Sequence, residues 1–179
     1  MERRIAAVPM IGAVVFAATA IAQHAGHEQS QPYSELAARP IKAFSSDQIA
    51  DLKAGRGMGL SLPAELNGYP GPRHVLELGD QLGLDTAQRQ SATRLIAAMQ
   101  FWAVGTGTVL IDLERRLEAL FADQSATSAD IQDLTGQIGA AQSRLRSIHL
   151  QAHLLMRDAL KPEQIRRYAM LRGHNSKSP

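Results

Sequence analysis

The 179-residue chain has no cysteine, which excludes disulfides, thiolate metal ligands and a cysteine nucleophile. Aromatic residues make up only 4%, with a single Trp, against 45% hydrophobic residues overall. An interior built this way draws on Leu, Ile, Val and Ala, which suits packed helices better than a β-sandwich or an α/β fold. Charge of one sign is scarce as well: 19 basic and 17 acidic residues are intermixed for a formal +2, with no basic stripe to hold nucleic acid. Catalytic motifs are also missing. There is no nucleophile elbow and no His-Glu-x-x-His, and the glycine run Gly55, Gly57, Gly59 has neither a preceding strand nor a following Gly-Lys-Ser/Thr. The chain is expected not to be an enzyme and to require no cofactor.

What the chain does have is helical periodicity. Ile131, Leu134, Ile138, Ala141, Leu145, Ile148, Ala152, Leu155 and Ala159 recur at steps of three and four, the stripe of a helix packed lengthwise on another. At ~1.5 Å per residue a helix of roughly 30 residues is ~45 Å long and needs an equally long partner. Leu95, Met99, Trp102, Thr106, Leu110, Leu113, Leu117 and Leu120 supply one, separated from the first stripe by a polar turn at 121–126. The expected fold is therefore all-α: a long antiparallel helical hairpin with short flanking helices. Gly105 and Gly107 weaken the middle of the first long helix and point to a bend or to close approach of another backbone. Glu114, Arg115, Arg116 and Glu118 read as its solvated side.

The N-terminus reads as an export signal, with Arg3 and Arg4 before an apolar stretch at 5–20 and small residues at Ala20 and Ala22. Cleavage is expected after Ala22, which exports the mature protein; a retained membrane anchor is the alternative reading. Residues 23–43 read as a flexible tail bearing His24 and His27, residues 44–172 as the helical domain, and residues 173–179 as a disordered tail.

Helix starts share one grammar. Ser45 with Gln48, and Asp85 with Gln88, place an N-cap three residues before a Gln that can bond back to it, and Leu160-Lys161-Pro162-Glu163-Gln164 repeats the spacing with Pro at the first helical position. Lys161 has no acceptor, so that last box is half formed. The first of these helices is expected to run to about Lys53. A short amphipathic helix is expected at 73–82, the second long helix from Thr127 or Ser128, and a terminal helix at 164–171. Leu60, Leu62 and Leu66 are expected to tack down the loop between them.

Signal peptide, helical hairpin and recurring Leu-x-x-x-Gln boxes together resemble the Spy/CpxP family of periplasmic LTXXQ-motif proteins and the related nickel/cobalt sensors. The motif residues here are Leu84, Asp85 and Gln88, then Leu160 and Gln164; Asp85 and Lys161 stand where Thr is typical. The resemblance implies a homodimer of curved hairpins and ATP-independent binding of unfolded client proteins. Arg144, Arg146, Leu150, Leu154 and Arg157 form a candidate client surface of mixed apolar and basic character, and a second protomer or the terminal helix could equally cover Leu150 and Leu154.

His149, His153 and Met156 fall at i, i+4 and i+7 on the second long helix. Two imidazoles one turn apart can chelate Ni, Co, Cu or Zn, with the thioether favouring a softer late transition metal and His24 or His27 as further donors. The alternative is that both histidines are structural. Three functions follow as expectations: a client-binding chaperone, a heavy-metal sensor or resistance protein, and a module that restrains an envelope signalling partner.

Overall fold

Seven helices and no strand form among residues 33–174, the part of the chain that the computed structural model describes. Four short helices, α1 (Ser34–Ala37), α2 (Ser46–Lys53), α3 (Leu62–Glu65) and α4 (Pro72–Glu77), precede two long ones, α5 (Thr86–Ala122) and α6 (Ser128–Asp158), and α7 (Pro162–Leu171) ends the series. Residues 1–32, which include the expected signal peptide and both His24 and His27, lie outside the described residues, as do residues 175–179.

The expected boxes start these helices. Ser45 Oγ accepts from the Gln48 amide while the Ser45 amide donates to Gln48 Oε1, and Asp85 and Gln88 do the same for α5. Thr127 and Asp130 begin α6 with a third reciprocal pair. At α7 the Lys161 amide donates to Gln164 Oε1 at 2.9 Å, and nothing returns from the lysine side chain, which has no acceptor to offer.

Helices α5 and α6 share one apolar cluster, in which Leu110, Ile111 and Leu113 meet Leu134, Ile138, Ala141 and Leu145. Helix α2 adds Leu52, and Ile41 is buried there too at 2% exposure, so the folded body includes residues upstream of Phe44. The approach of α2 explains Gly107: a Cβ there would lie 2.7 Å from the Leu52 carbonyl oxygen. A second cluster, at the other end of α6, collects Val75, Leu84, Ala92, Met156, Leu160 and Tyr168 from α4, α5, α6 and α7 and their flanks.

Five expectations need correction. The helix expected at 73–82 ends at Glu77, because Leu78 to Leu84 turn inward through Gly83 in the left-handed region (φ 62°) to bury Leu82 and Leu84. The buried stripe of α6 does not continue through Leu155, which is 53% exposed; covering by α3 and α4 rotates it onto His149, Ala152, His153 and Met156. Trp102 stands 53% exposed rather than in the seam, and Glu114 is buried rather than solvated. Of the three loop leucines only Leu60 packs on the core, while Leu62 and Leu66 are exposed.

Candidate functional site

Glu65 closes the four-residue helix α3 and is buried, an expensive place for a carboxylate unless its oxygens are bonded. They are. Oε2 accepts from the Gly71 amide at 3.0 Å, and Oε1 accepts from the Tyr168 hydroxyl. Around these bonds stand His74 Nδ1 at 3.5 Å, His153 Nδ1 at 3.6 Å, Arg172 Nε at 3.7 Å and His174 Nε2 at 3.8 Å. One carboxylate thus draws together α3, α4, α6, α7 and the chain that follows α7. Burial, then the bond to Glu65 and its charge, push the Tyr168 phenol far above its ordinary value, so it stays a donor.

The two α6 histidines lie on this side of the molecule. His153 Nδ1 is 2.7 Å from the Tyr69 carbonyl oxygen, and since that oxygen can only accept, Nδ1 is the donor of this bond. Its ring packs against Gly71, where a Cβ would come within 2.9 Å of the imidazole. His149 is more deeply placed, at 2% exposure. Its Nε2 has no hydrogen-bond partner among the described residues, and its Nδ1 edge faces Gly57. Burial, and secondarily the neighbouring His153, hold His149 below the ordinary histidine value, so it is neutral. Both line an open cavity of about 580 Å³ whose walls include Glu65, His74 and Arg172. Met156 does not join them: it is fully buried in the second apolar cluster. Among the described residues no three His, Asp or Glu side chains converge as a ligand set for one ion.

The residues of the candidate client surface divide between two sides of α6. At about 100° per residue, Arg146, Leu150, Leu154 and Arg157 share one exposed side, whereas Arg144 points to the other. There its guanidinium lies 5.9 Å from the Trp102 ring, beside a groove of about 450 Å³ lined by Trp102, Gly105, Val109, Ala140 and Ala141. On the first side, Arg157 stacks 4.4 Å over the Tyr69 ring.

The motif residues are brought together as well. Leu84 and Leu160 pack in the same cluster, and the Gln88 and Gln164 side chains bond to each other. Sequence reasoning missed Glu65, His74, Tyr168, Arg172 and His174, which sit in short or terminal segments with no periodicity; the one signal was a lone carboxylate among the proline and glycine breakers between Gly59 and Pro72. By length and composition alone, α5 is long and apolar enough to cross a membrane. No protein-family model matches the chain, and no curated protein or solved structure matches it.

Proposed function

We propose that the chain is a periplasmic, ATP-independent, chaperone-like protein that binds unfolded polypeptide and works as a homodimer of antiparallel α5–α6 hairpins. The observation that carries this reading is a mixed apolar and basic surface on adjoining elements. Leu62, Leu66 and Leu154 are 53%, 57% and 48% exposed, and Arg157 is held over Tyr69 beside them, with Arg146 on the same side of α6. Separated leucines offer many weak apolar contacts, and guanidinium groups steer acidic or polar chain toward them. A surface of that kind holds non-native segments without a shaped pocket. The resemblance of the Leu-x-x-x-Gln boxes to the Spy/CpxP family supports the same reading.

Aggregation of a chemically denatured test protein, followed by light scattering, tests it. A molar excess of the chain is expected to suppress scattering without nucleotide, and a Leu154→Glu/Arg157→Glu variant to suppress it less. No suppression by the parent chain at any excess removes the proposal.

A second reading is favoured by one observation, the unpartnered Nε2 of His149 one helical turn from His153 on the wall of the same cavity. In it the chain binds Ni, Co, Cu or Zn as a sensor or resistance protein, with further donors from outside the described residues, such as His24 or His27. Calorimetric titration with each ion is the test. Binding that survives in a His149→Ala/His153→Ala variant eliminates this site.

A further inference from the structure

A second seam runs along α5, on the side that no other part of the described chain covers. Arg94, Ala98, Phe101, Gly105, Thr108 and Asp112 are all exposed and follow one another at steps of 4, 3, 4, 3 and 4. That is the spacing of a helix that pairs with another helix. Between Arg94 and Asp112 the helix carries no charge at all, although 20% of the chain is charged. Phe101, at 72% exposure, is the most exposed large apolar side chain of the two long helices. Gly105 is not required by the fold of one chain, since a Cβ there would meet nothing within 4 Å, and it costs the helix about 1 kcal/mol relative to Ala.

The step pattern reads the same in both directions, as an isologous contact demands. We infer that α5 pairs antiparallel with α5 of a second copy of this chain, about a two-fold axis at the level of Ala103. Under that operation each residue n meets 206 − n of its partner, by arithmetic on the sequence numbers. Phe101 then meets Gly105, large against absent; Ala98 meets Thr108 and Ala97 meets Val109, small or medium on both sides; Arg94 meets Asp112, opposite charges at each end of the seam. A parallel pairing in register loses all of this. It sets Arg94 against Arg94, Asp112 against Asp112 and Phe101 against Phe101. Asp112 already bonds Arg115 at 2.5 Å, and both are exposed, so the second arginine adds to a carboxylate with free acceptor capacity. Arg94 has no ion-pair partner among the described residues. The Trp102 groove flanks the seam and is buried with it.

This interface deepens the homodimer proposed above by assigning its residues, and it is read by a different assay from client binding, so that either can fail alone. The experiment is sedimentation equilibrium of the purified chain with its natural N-terminus, with fluorescence of Trp102, the single tryptophan, recorded over the same dilution series. The parent is expected to dimerise with a blue shift of Trp102 on association. Arg94→Asp and Asp112→Arg are each expected to weaken the dimer about tenfold or more at low salt, and the double reversal to restore it. All three variants change exposed sites and should keep the parent far-ultraviolet circular dichroism, which separates loss of pairing from loss of fold. A monomer at every concentration overturns the interface. So does a dimer indifferent to both reversals, which places self-association elsewhere, and so does a monomer whose Trp102 shifts only on adding vesicles rich in phosphatidylglycerol, which assigns the face to a lipid surface.

Discussion

The side-chain amides of Gln88 and Gln164, 76 positions apart, bond to each other in both directions, at 2.8 and 3.0 Å. Each amide is filled. Gln88 Nε2 also donates to the Ala159 carbonyl and Gln164 Nε2 to that of Leu82, while each Oε1 also accepts the N-cap amide of its own helix, Asp85 or Lys161. The two caps are therefore one buried network that fastens the start of α7 to the start of α5. Replacing either glutamine by Leu leaves the other with unpaired buried groups and is expected to cost about 2–3 kcal/mol. In a double-mutant cycle by denaturant unfolding, the Gln88→Leu/Gln164→Leu pair should cost clearly less than the two single changes added. Additive costs would mean that the amides act separately.

That network was half legible. Cap chemistry is local, so Asp85 with Gln88 and Lys161 with Gln164 could be read from three-residue spacings, and the Gln88 and Gln164 bonds to the N-cap amides form as the residues dictate. Their pairing across 76 positions is a tertiary fact with no local trace. The same division runs through the molecule. The length and phase of the long helices follow from Leu134, Ile138, Ala141 and Leu145, which one face of one helix decides. Burial of His149 and His153 in place of Leu155 depends on where the non-periodic α3–α4 segment lies, and it depends on Glu65, whose burial becomes affordable only once Tyr168 and Gly71 bond it.

Gly105 and Gly107 look alike in the sequence and are opposite in the structure. A methyl at Gly107 meets the Leu52 carbonyl oxygen at 2.7 Å, backbone that can yield only by moving α2, whereas the same methyl at Gly105 meets open space. Gly107→Ala is expected to lower stability by about 2 kcal/mol despite its better helix propensity. Gly105→Ala should raise it by about 0.5–1 kcal/mol when measured in solutions dilute enough to keep copies apart. Thermal unfolding of both variants decides the matter, and equal shifts would show that α2 does not press on α5.

Removal of the Glu65 carboxylate should loosen the junction of α3, α4, α6 and α7. Glu65→Ala strips the acceptor from the Tyr168 hydroxyl and the Gly71 amide and leaves Arg172 and three histidines without their common anion. A loss of about 3 kcal/mol is expected in urea unfolding, with Glu65→Gln losing less because its carbonyl oxygen keeps one acceptor. Hydrogen exchange should rise first in α7 and α4, the elements that this group joins. An unchanged exchange pattern would mean that apolar packing of Tyr168 and Val75 alone holds them.

Burial raises the Glu114 carboxyl above its ordinary value, and this sets the sign of a pH effect. The folded chain binds the Glu114 proton more tightly than the unfolded chain does. Its contribution to stability therefore falls as pH rises from below the unfolded value through the folded one, and at neutral pH ionised Glu114 is a net cost. Glu114→Gln keeps the shape and removes the charge. The variant is expected to melt higher than the parent near pH ~7, with the gap closing as the pH drops toward about 4, where the parent carboxyl is protonated as well. A gap that stayed constant over that range would assign the difference to packing or hydrogen bonding of the amide and not to the buried charge. A parent more stable than the variant at neutral pH would mean that the carboxylate has a favourable partner in solution.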